Sequence, residues 1–89
     1  MSEIQFLQPL AGDLLIEGAD GEMREGRFYA QVRVRADADS LCVNGVRAEK
    51  DQQGAFCAQV PLDALRGRLE ARDERGYRAA ITVFRLRDA

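Results

Sequence analysis

The sequence predicts an all-β fold in which two antiparallel sheets pack face to face. Apolar and polar residues alternate with a period of two along most of the chain, which is typical of half-buried strands. No segment carries an apolar stripe of helical period over the ~10 residues that a stable helix requires. Turn-forming residues recur about every 8–12 positions, the spacing of short strands in a sandwich.

The longest predicted strand runs over Arg27–Ala36. Its even-numbered residues are apolar and their neighbours are larger and more polar, so one face belongs to the core and the other meets water. Ahead of it, short strands are predicted at Ile4–Phe6 and Leu14–Ile16. Residues 20–26 are predicted to form a loop.

The centre of the chain carries the strongest hairpin signal. Leu41–Val43 and Val46–Glu49 flank the pair Asn44-Gly45, and both residues of that pair tolerate the positive φ of a type I′ turn. A second turn at Asp51–Gly54 leads into an alternating run from Phe56 to Leu62.

The last third predicts two more strands. Pro61–Gly67 interrupts the alternation and is predicted to connect strands, with one helical turn ended by its glycine. Leu69 and Ala71 then face inward, Asp73–Gly76 turns the chain, and Tyr77–Leu86 is the last strand. The sequence therefore predicts an antiparallel sandwich of the immunoglobulin kind with about seven strands.

Length and composition indicate one globular domain over residues 1–89. Hydrophobic residues make up 46% of the chain and charged residues 31%, as in ordinary globular proteins. No apolar run approaches the ~20 residues of a membrane span, and the first residues lack the basic and apolar regions of a signal peptide. We expect no membrane insertion.

The residue types present exclude several kinds of chemistry. The chain has no histidine and two cysteines, so it lacks the usual proton shuttle, nucleophile–histidine pairs and a tetrahedral zinc set. Its net charge is −2, whereas a nucleic-acid-binding domain is clearly basic. We predict no catalytic residues, no cofactor, no metal and no nucleic-acid partner.

Several acidic side chains allow more than one functional interpretation. Asp37 with Asp39, and Asp73 with Glu74, could share acid–base work, but all lie in predicted turns, where carboxylates accept backbone hydrogen bonds. A calcium cage could combine Asp37 and Asp39 with Asp73 or Asp13, although calcium needs further oxygens. We interpret these acids as turn residues.

The cysteines neighbour inward-facing residues, so both thiols are predicted to point outward. Cys42 lies between Leu41 and Val43, and Cys57 lies between Phe56 and Ala58. Free thiols are favoured, but pairing stays open because spacing along the chain does not decide it.

Several short motifs follow one another along the second half of the chain. Leu41–Val46 reads L-C-V-N-G-V, Asp51–Phe56 reads D-Q-Q-G-A-F, Val60–Leu62 reads V-P-L, and Leu69–Asp73 and Ile81–Val83 follow. In this order they resemble the bacterial immunoglobulin-like modules related to glucodextranase domain B. The resemblance implies a non-catalytic accessory domain of a multidomain bacterial surface or carbohydrate-active protein. We predict that this chain is the N-terminal module of such a larger protein.

The resemblance implies spacing between domains or protein–protein contact, with neighbouring domains or another protein as partner. Two alternatives stay open: a carbohydrate-binding module and a free-standing adaptor. Glycan binding would need exposed aromatic faces, for which Tyr29, Tyr77 and Phe84 are the candidates. Analogy implies the cell envelope or secretion, whereas Met1 as the natural start would imply the cytoplasm.

The last strand carries a candidate interface. If Ile81 and Val83 face the core, the residues that alternate with them face solvent. Aromatic residues and arginines are enriched at the centres of protein–protein contacts. We therefore predict an interface that contains Arg68, Arg72, Arg78, Phe84 and Leu86. The alternative is that strand twist near the end covers both faces locally.

Overall fold

A computed structural model describes residues 4–62 and 66–85, and these residues form an all-β structure without a helix. Two sheets pack against each other around a shared core. The strands are β1 (Ile4–Gln8), β2 (Leu14–Leu15), β3 (Gly21–Arg24), β4 (Arg27–Ala36), β5 (Leu41–Val43), β6 (Val46–Arg47), β7 (Glu49–Lys50), β8 (Phe56–Leu62), β9 (Arg66–Asp73) and β10 (Arg78–Arg85). The described residues thus contain ten strands instead of about seven.

The first sheet is organised around β4, which is paired along both edges. Its strand order is β1-β4-β8-β7, and β3 also pairs with β4. β8 pairs with Phe28–Val34 along one edge, so β1 and β3 share the opposite edge. Buried apolar residues of β4 alternate with more exposed polar ones, as the sequence predicts.

β3 corrects the prediction of a loop over residues 20–26. Gly21–Arg24 pairs antiparallel with residues 27–30, and the hairpin turns at Glu25 and Gly26. Both turn residues have positive φ, 52° and 80°, which is the φ pattern of a type I′ turn. Because glutamate rarely occupies such a position, local turn chemistry does not predict this hairpin.

The second sheet has the order β2-β10-β9-β5-β6. β2 runs parallel to β10, with Leu14 opposite Phe84, whereas the other pairs in this sheet are antiparallel. The prediction of a wholly antiparallel fold is therefore wrong at this edge. The parallel pair arises because the chain leaves the first sheet after β1 and joins the second sheet beside its last described strand.

The central hairpin forms at Asn44 and Gly45, whose φ values of 51° and 80° confirm the predicted turn. The segment after it does not stay in one sheet, because β6 lies in the second sheet and β7 in the first. Buried Ala48 stands between them and donates its N–H to the Leu41 carbonyl at 2.9 Å. The predicted strand over Val46–Glu49 is therefore two strands.

The last third departs from the prediction at its boundaries. Pro61 and Leu62 belong to β8, and β9 already begins at Arg66. The described residues at both ends of the predicted connection Pro61–Gly67 are therefore strand residues. The helical turn predicted before Gly67 would include residues 63–65, which lie outside the described residues. Tyr77 belongs to the turn before β10, not to the strand.

The core lies between the sheets and takes one side of each main strand. From β4 it includes Phe28, Val32 and Val34, each at most 1% exposed. The second sheet contributes Leu15, Leu41, Val43, Leu69, Ala71 and Val83, all equally buried. Since alternation buries one side of each strand, the remaining side chains of each sheet form an outer face.

Candidate interface on the outer face of the second sheet

The outer face of the second sheet is defined by strand alternation and register. Leu15, Leu69 and Val83 are buried, so their neighbours along the strands point away from the core. The cross-strand pairs align Leu14 with Phe84 and Phe84 with Arg66. The outward residues are Leu14, Cys42, Arg47, Arg66, Arg68, Glu70, Arg72, Arg78, Ala80, Thr82 and Phe84.

The four described residues of the predicted interface lie on this face. Arg68, Arg72, Arg78 and Phe84 are all exposed, and Phe84 leaves 42% of its surface in solvent. Register places Arg72 directly opposite Arg78, and Arg68 opposite Thr82. Leu86 lies outside the described residues. The predicted outward orientation is therefore confirmed for these four, whereas their role in binding stays a prediction.

An apolar corner adds residues that no motif of the sequence predicts. Leu10, Leu14 and Ile16 are 57%, 49% and 49% exposed, and Leu14 stands opposite Phe84. Two backbone hydrogen bonds fix this edge: Gly12 N to Thr82 O at 2.7 Å and Phe84 N to Asp13 O at 2.9 Å. We call Leu10, Leu14, Ile16 and Phe84 the apolar corner.

The apolar corner was not readable from the sequence. In the run Leu14-Leu15-Ile16 every residue is apolar, so nothing in the composition says which one faces the core. The corner also depends on a parallel pairing between the two ends of the chain, which no local signal specifies.

Positive charge dominates the rest of this face. Five arginines stand against one glutamate, and Glu70 is bound by Arg68 at 3.1 Å. Arg47, Arg72 and Arg78 form a line across the sheet, because Arg47 pairs with Cys42, Cys42 with Arg72, and Arg72 with Arg78. We call these three arginines the arginine row.

Asn44 anchors the strand that carries most of these arginines. Its Oδ1 accepts the Glu70 N–H at 2.8 Å, and its Nδ2 donates to the Arg68 carbonyl at 2.9 Å. Its own backbone N–H donates to the Glu70 carbonyl at 2.9 Å. The side chain therefore continues the pairing of β5 with β9 past the point where β5 turns away.

The carboxylates of Asp73 and Glu74 accept backbone hydrogen bonds in turns. The Asp73 side chain is fully buried, and its Oδ1 accepts the N–H groups of Arg75 and Tyr77 at 2.9 and 3.0 Å. Glu74 accepts the N–H of Asp39 at 3.1 Å, and chiefly this bond lowers the pKa of Glu74. A lowered pKa keeps the carboxylate ionised, the opposite of what a proton donor near neutral pH needs.

The end of the sandwich considered for calcium holds a cation of the chain itself. The Arg75 guanidinium donates to the Asp73 carboxylate at 3.3 Å and to the Asp37 carbonyl. Asp13 lies beside Phe84, at the opposite end of β10 from Asp73. In the described part of the chain no three Cys, Asp or Glu side chains gather in a way that could hold a metal ion.

The cysteines and the candidate aromatics are held apart. Cys42 lies on β5 and Cys57 on β8, so they project from opposite outer faces and both are free thiols. Sheets stack ~10 Å apart, which exceeds the ~7 Å limit between the Cα atoms of a disulfide. Tyr29 belongs to the first sheet's outer face, Tyr77 to a turn and Phe84 to the second sheet, so they form no common platform.

The chain matches no family model and no curated protein sequence. Among residues 4–62 and 66–85, no helix has the length and apolar character needed to cross a membrane.

Proposed function

We propose that this chain is an immunoglobulin-like, non-catalytic module that makes protein–protein contact through the outer face of its second sheet. The strand order supports this fold assignment. β1-β4-β8-β7 follows the order A-B-E-D of one immunoglobulin sheet, and β10-β9-β5-β6 follows G-F-C-C′ of the other. The resemblance to glucodextranase domain B-like modules, and hence a place in a larger bacterial protein, belongs to the same proposal.

The apolar corner is the observation that carries the proposed contact. Four of the six large apolar side chains that are exposed in the described residues lie there, and Phe84 has Leu14 on one side and Arg66 on the other. Contiguous exposed apolar surface rimmed by polar residues marks interaction sites. An aromatic side chain beside arginine is the composition typical of the centre of a contact.

Site-specific photo-crosslinking tests this proposal. A photoreactive amino acid replaces Phe84 in the natural full-length protein, and the matched control replaces Gln59, an exposed residue of β8 on the first sheet. We expect a discrete protein adduct from position 84, none from position 59, and loss of the adduct when Leu14→Ser is added. Equal adducts at both positions, no adduct, or an adduct with a saccharide alone would refute protein contact at this face.

A further inference from the structure

We infer that the partner of this face is an acidic protein segment whose carboxylates lie along the arginine row of Arg47, Arg72 and Arg78. The inference rests on the proposed function and names the chemistry of the partner.

Register makes the arginine row a continuous line across four adjacent strands. It crosses β6, β5, β9 and β10, with the Cys42 thiol between Arg47 and Arg72. Neighbouring strands lie ~4.8 Å apart, so the backbone positions of Arg47 and Arg78 are about 14 Å apart. All three arginines are exposed.

The charges of the row are not neutralised within the described residues. No ion pair or hydrogen bond joins the side chains of Arg47, Arg72 or Arg78 to another described residue. Glu70, the one acid on this face, is engaged by Arg68. Like charges directly opposite each other destabilise a sheet, so the facing Arg72–Arg78 pair costs folding energy that an external anion would offset.

The acids beside the row do not change this conclusion. Asp39 and Glu49 border an open groove next to Arg47, of about 380 Å³, without forming an ion pair with it. The groove leaves Arg47 accessible from the side of β7.

The length of the row fits three carboxylates on an extended chain. Guanidinium groups bind carboxylates through two parallel hydrogen bonds. In an extended segment, side chains on one face recur every ~6.7 Å, so three acids at alternate positions span about 13 Å, close to the length of the row. The partner therefore presents acids at alternate positions to the row, and its apolar contact reaches Phe84 about 20 Å further along β10.

Charge elsewhere favours a protein segment over an extended polyanion. The chain as a whole carries −2. A nucleic acid or polyanionic surface extends beyond the row and would meet a domain of net negative charge, whereas an acidic segment about 13 Å long lies against the row itself.

An NMR titration tests the inference directly. The probe is a blocked Glu-Ser-Glu-Ser-Glu peptide, and the same peptide with Gln in place of Glu is its control. We expect saturable shifts of backbone amides around Cys42, Arg72 and Arg78 with the acidic peptide only, weakening as salt rises. Arg72→Gln with Arg78→Gln should reduce the affinity about tenfold, the factor for two exposed guanidinium–carboxylate contacts. Arg35→Gln should leave it unchanged, because Arg35 is an exposed arginine of β4 opposite Gln5.

Several outcomes would overturn the inference. It fails if the acidic peptide gives no saturable shifts, if Arg35→Gln weakens binding as much as the double variant, or if inorganic phosphate binds the row equally well. The melting temperature of each variant shows that it is folded. If the titration fails while the Phe84 crosslink persists, the inference that the partner is acidic is refuted and the proposed protein contact stands. If the peptide binds but the crosslink is absent, the proposed protein contact is refuted.

Discussion

The side chain of Asn44 substitutes for a strand at the end of β5, and removing it should measurably weaken the second sheet. Asn44→Gly deletes the bonds to the Glu70 N–H and the Arg68 carbonyl and leaves positive φ accessible. At about 0.5–1.5 kcal/mol for each net hydrogen bond, the two losses predict that the free energy of unfolding falls by about 1–3 kcal/mol.

Two further substitutions separate the contributions. Asn44→Ala loses the same two bonds and also holds an L-residue with a Cβ at φ 51°, which adds roughly 1–2 kcal/mol of strain. Asn44→Asp keeps an acceptor for the Glu70 N–H but turns a carboxylate oxygen toward the Arg68 carbonyl, so about 1 kcal/mol is lost. The alanine variant should therefore be less stable than the glycine variant, and all three less stable than the native protein.

Urea unfolding followed by circular dichroism measures these differences. The free energy of unfolding comes from linear extrapolation, and unchanged slopes show that the comparison is between the same states. A domain of this size holds ~5–15 kcal/mol, so losses of this order are resolved. An Asn44→Gly protein as stable as the native one would refute the idea that the side chain continues the β5–β9 pairing. Equal stability of the glycine and alanine variants would refute the backbone strain attributed to a Cβ at this positive φ.

Three other predictions concern packing and charge. Gly21→Ala should lose about 1–3 kcal/mol in the same assay, because its Cβ would overlap the Tyr29 carbonyl and lie 2.7 Å from the Phe28 ring; the control Gly67→Ala meets only a movable leucine methyl and should lose less. Arg78→Glu should raise the unfolding free energy by about 0.2–1 kcal/mol, because it faces Arg72 with an opposite charge; an unchanged or lower value would count against the register. The pKa of Asp51 is lowered, chiefly by the Ala55 N–H, so its contribution to stability is present above the ordinary carboxyl pKa of about 4 and is lost as the pH falls from there through the lowered pKa; Asp51→Asn should flatten acid unfolding in this range.

Alternation and turn chemistry are local, which is why the sequence predicts them well. The period of two correctly assigned Phe28, Val32 and Val34 to the core, because a strand places every second side chain on the same side. Asn44-Gly45 was predicted as a turn because both residues tolerate the positive φ that the structure has there.

Sheet membership depends on distant partners, and there local reasoning fails. Ala48 separates β6 from β7 in opposite sheets, although the sequence around it reads as one strand. The candidate interface likewise combines residues that local sequence predicts with one that depends on distant strand pairing. Arg72, Arg78 and Phe84 could be placed on one face from their own strands, but Arg47 joins the row only through the register of β5 with β6 and β9.

The two outer faces differ in how far their charges are satisfied, and this difference favours the second sheet as the contact surface. On the first sheet, Arg33 binds Asp51 at 2.9 Å and Arg24 binds Glu22 at 3.3 Å while covering the Tyr29 ring. Arg35 of that sheet faces Gln5 and not another arginine. On the second sheet, the arginine row has no such partners in the described chain, and the apolar corner stands at the other end of β10. Folding alone gives no reason to align like charges and expose apolar side chains on one face, whereas a partner that covers both gives one.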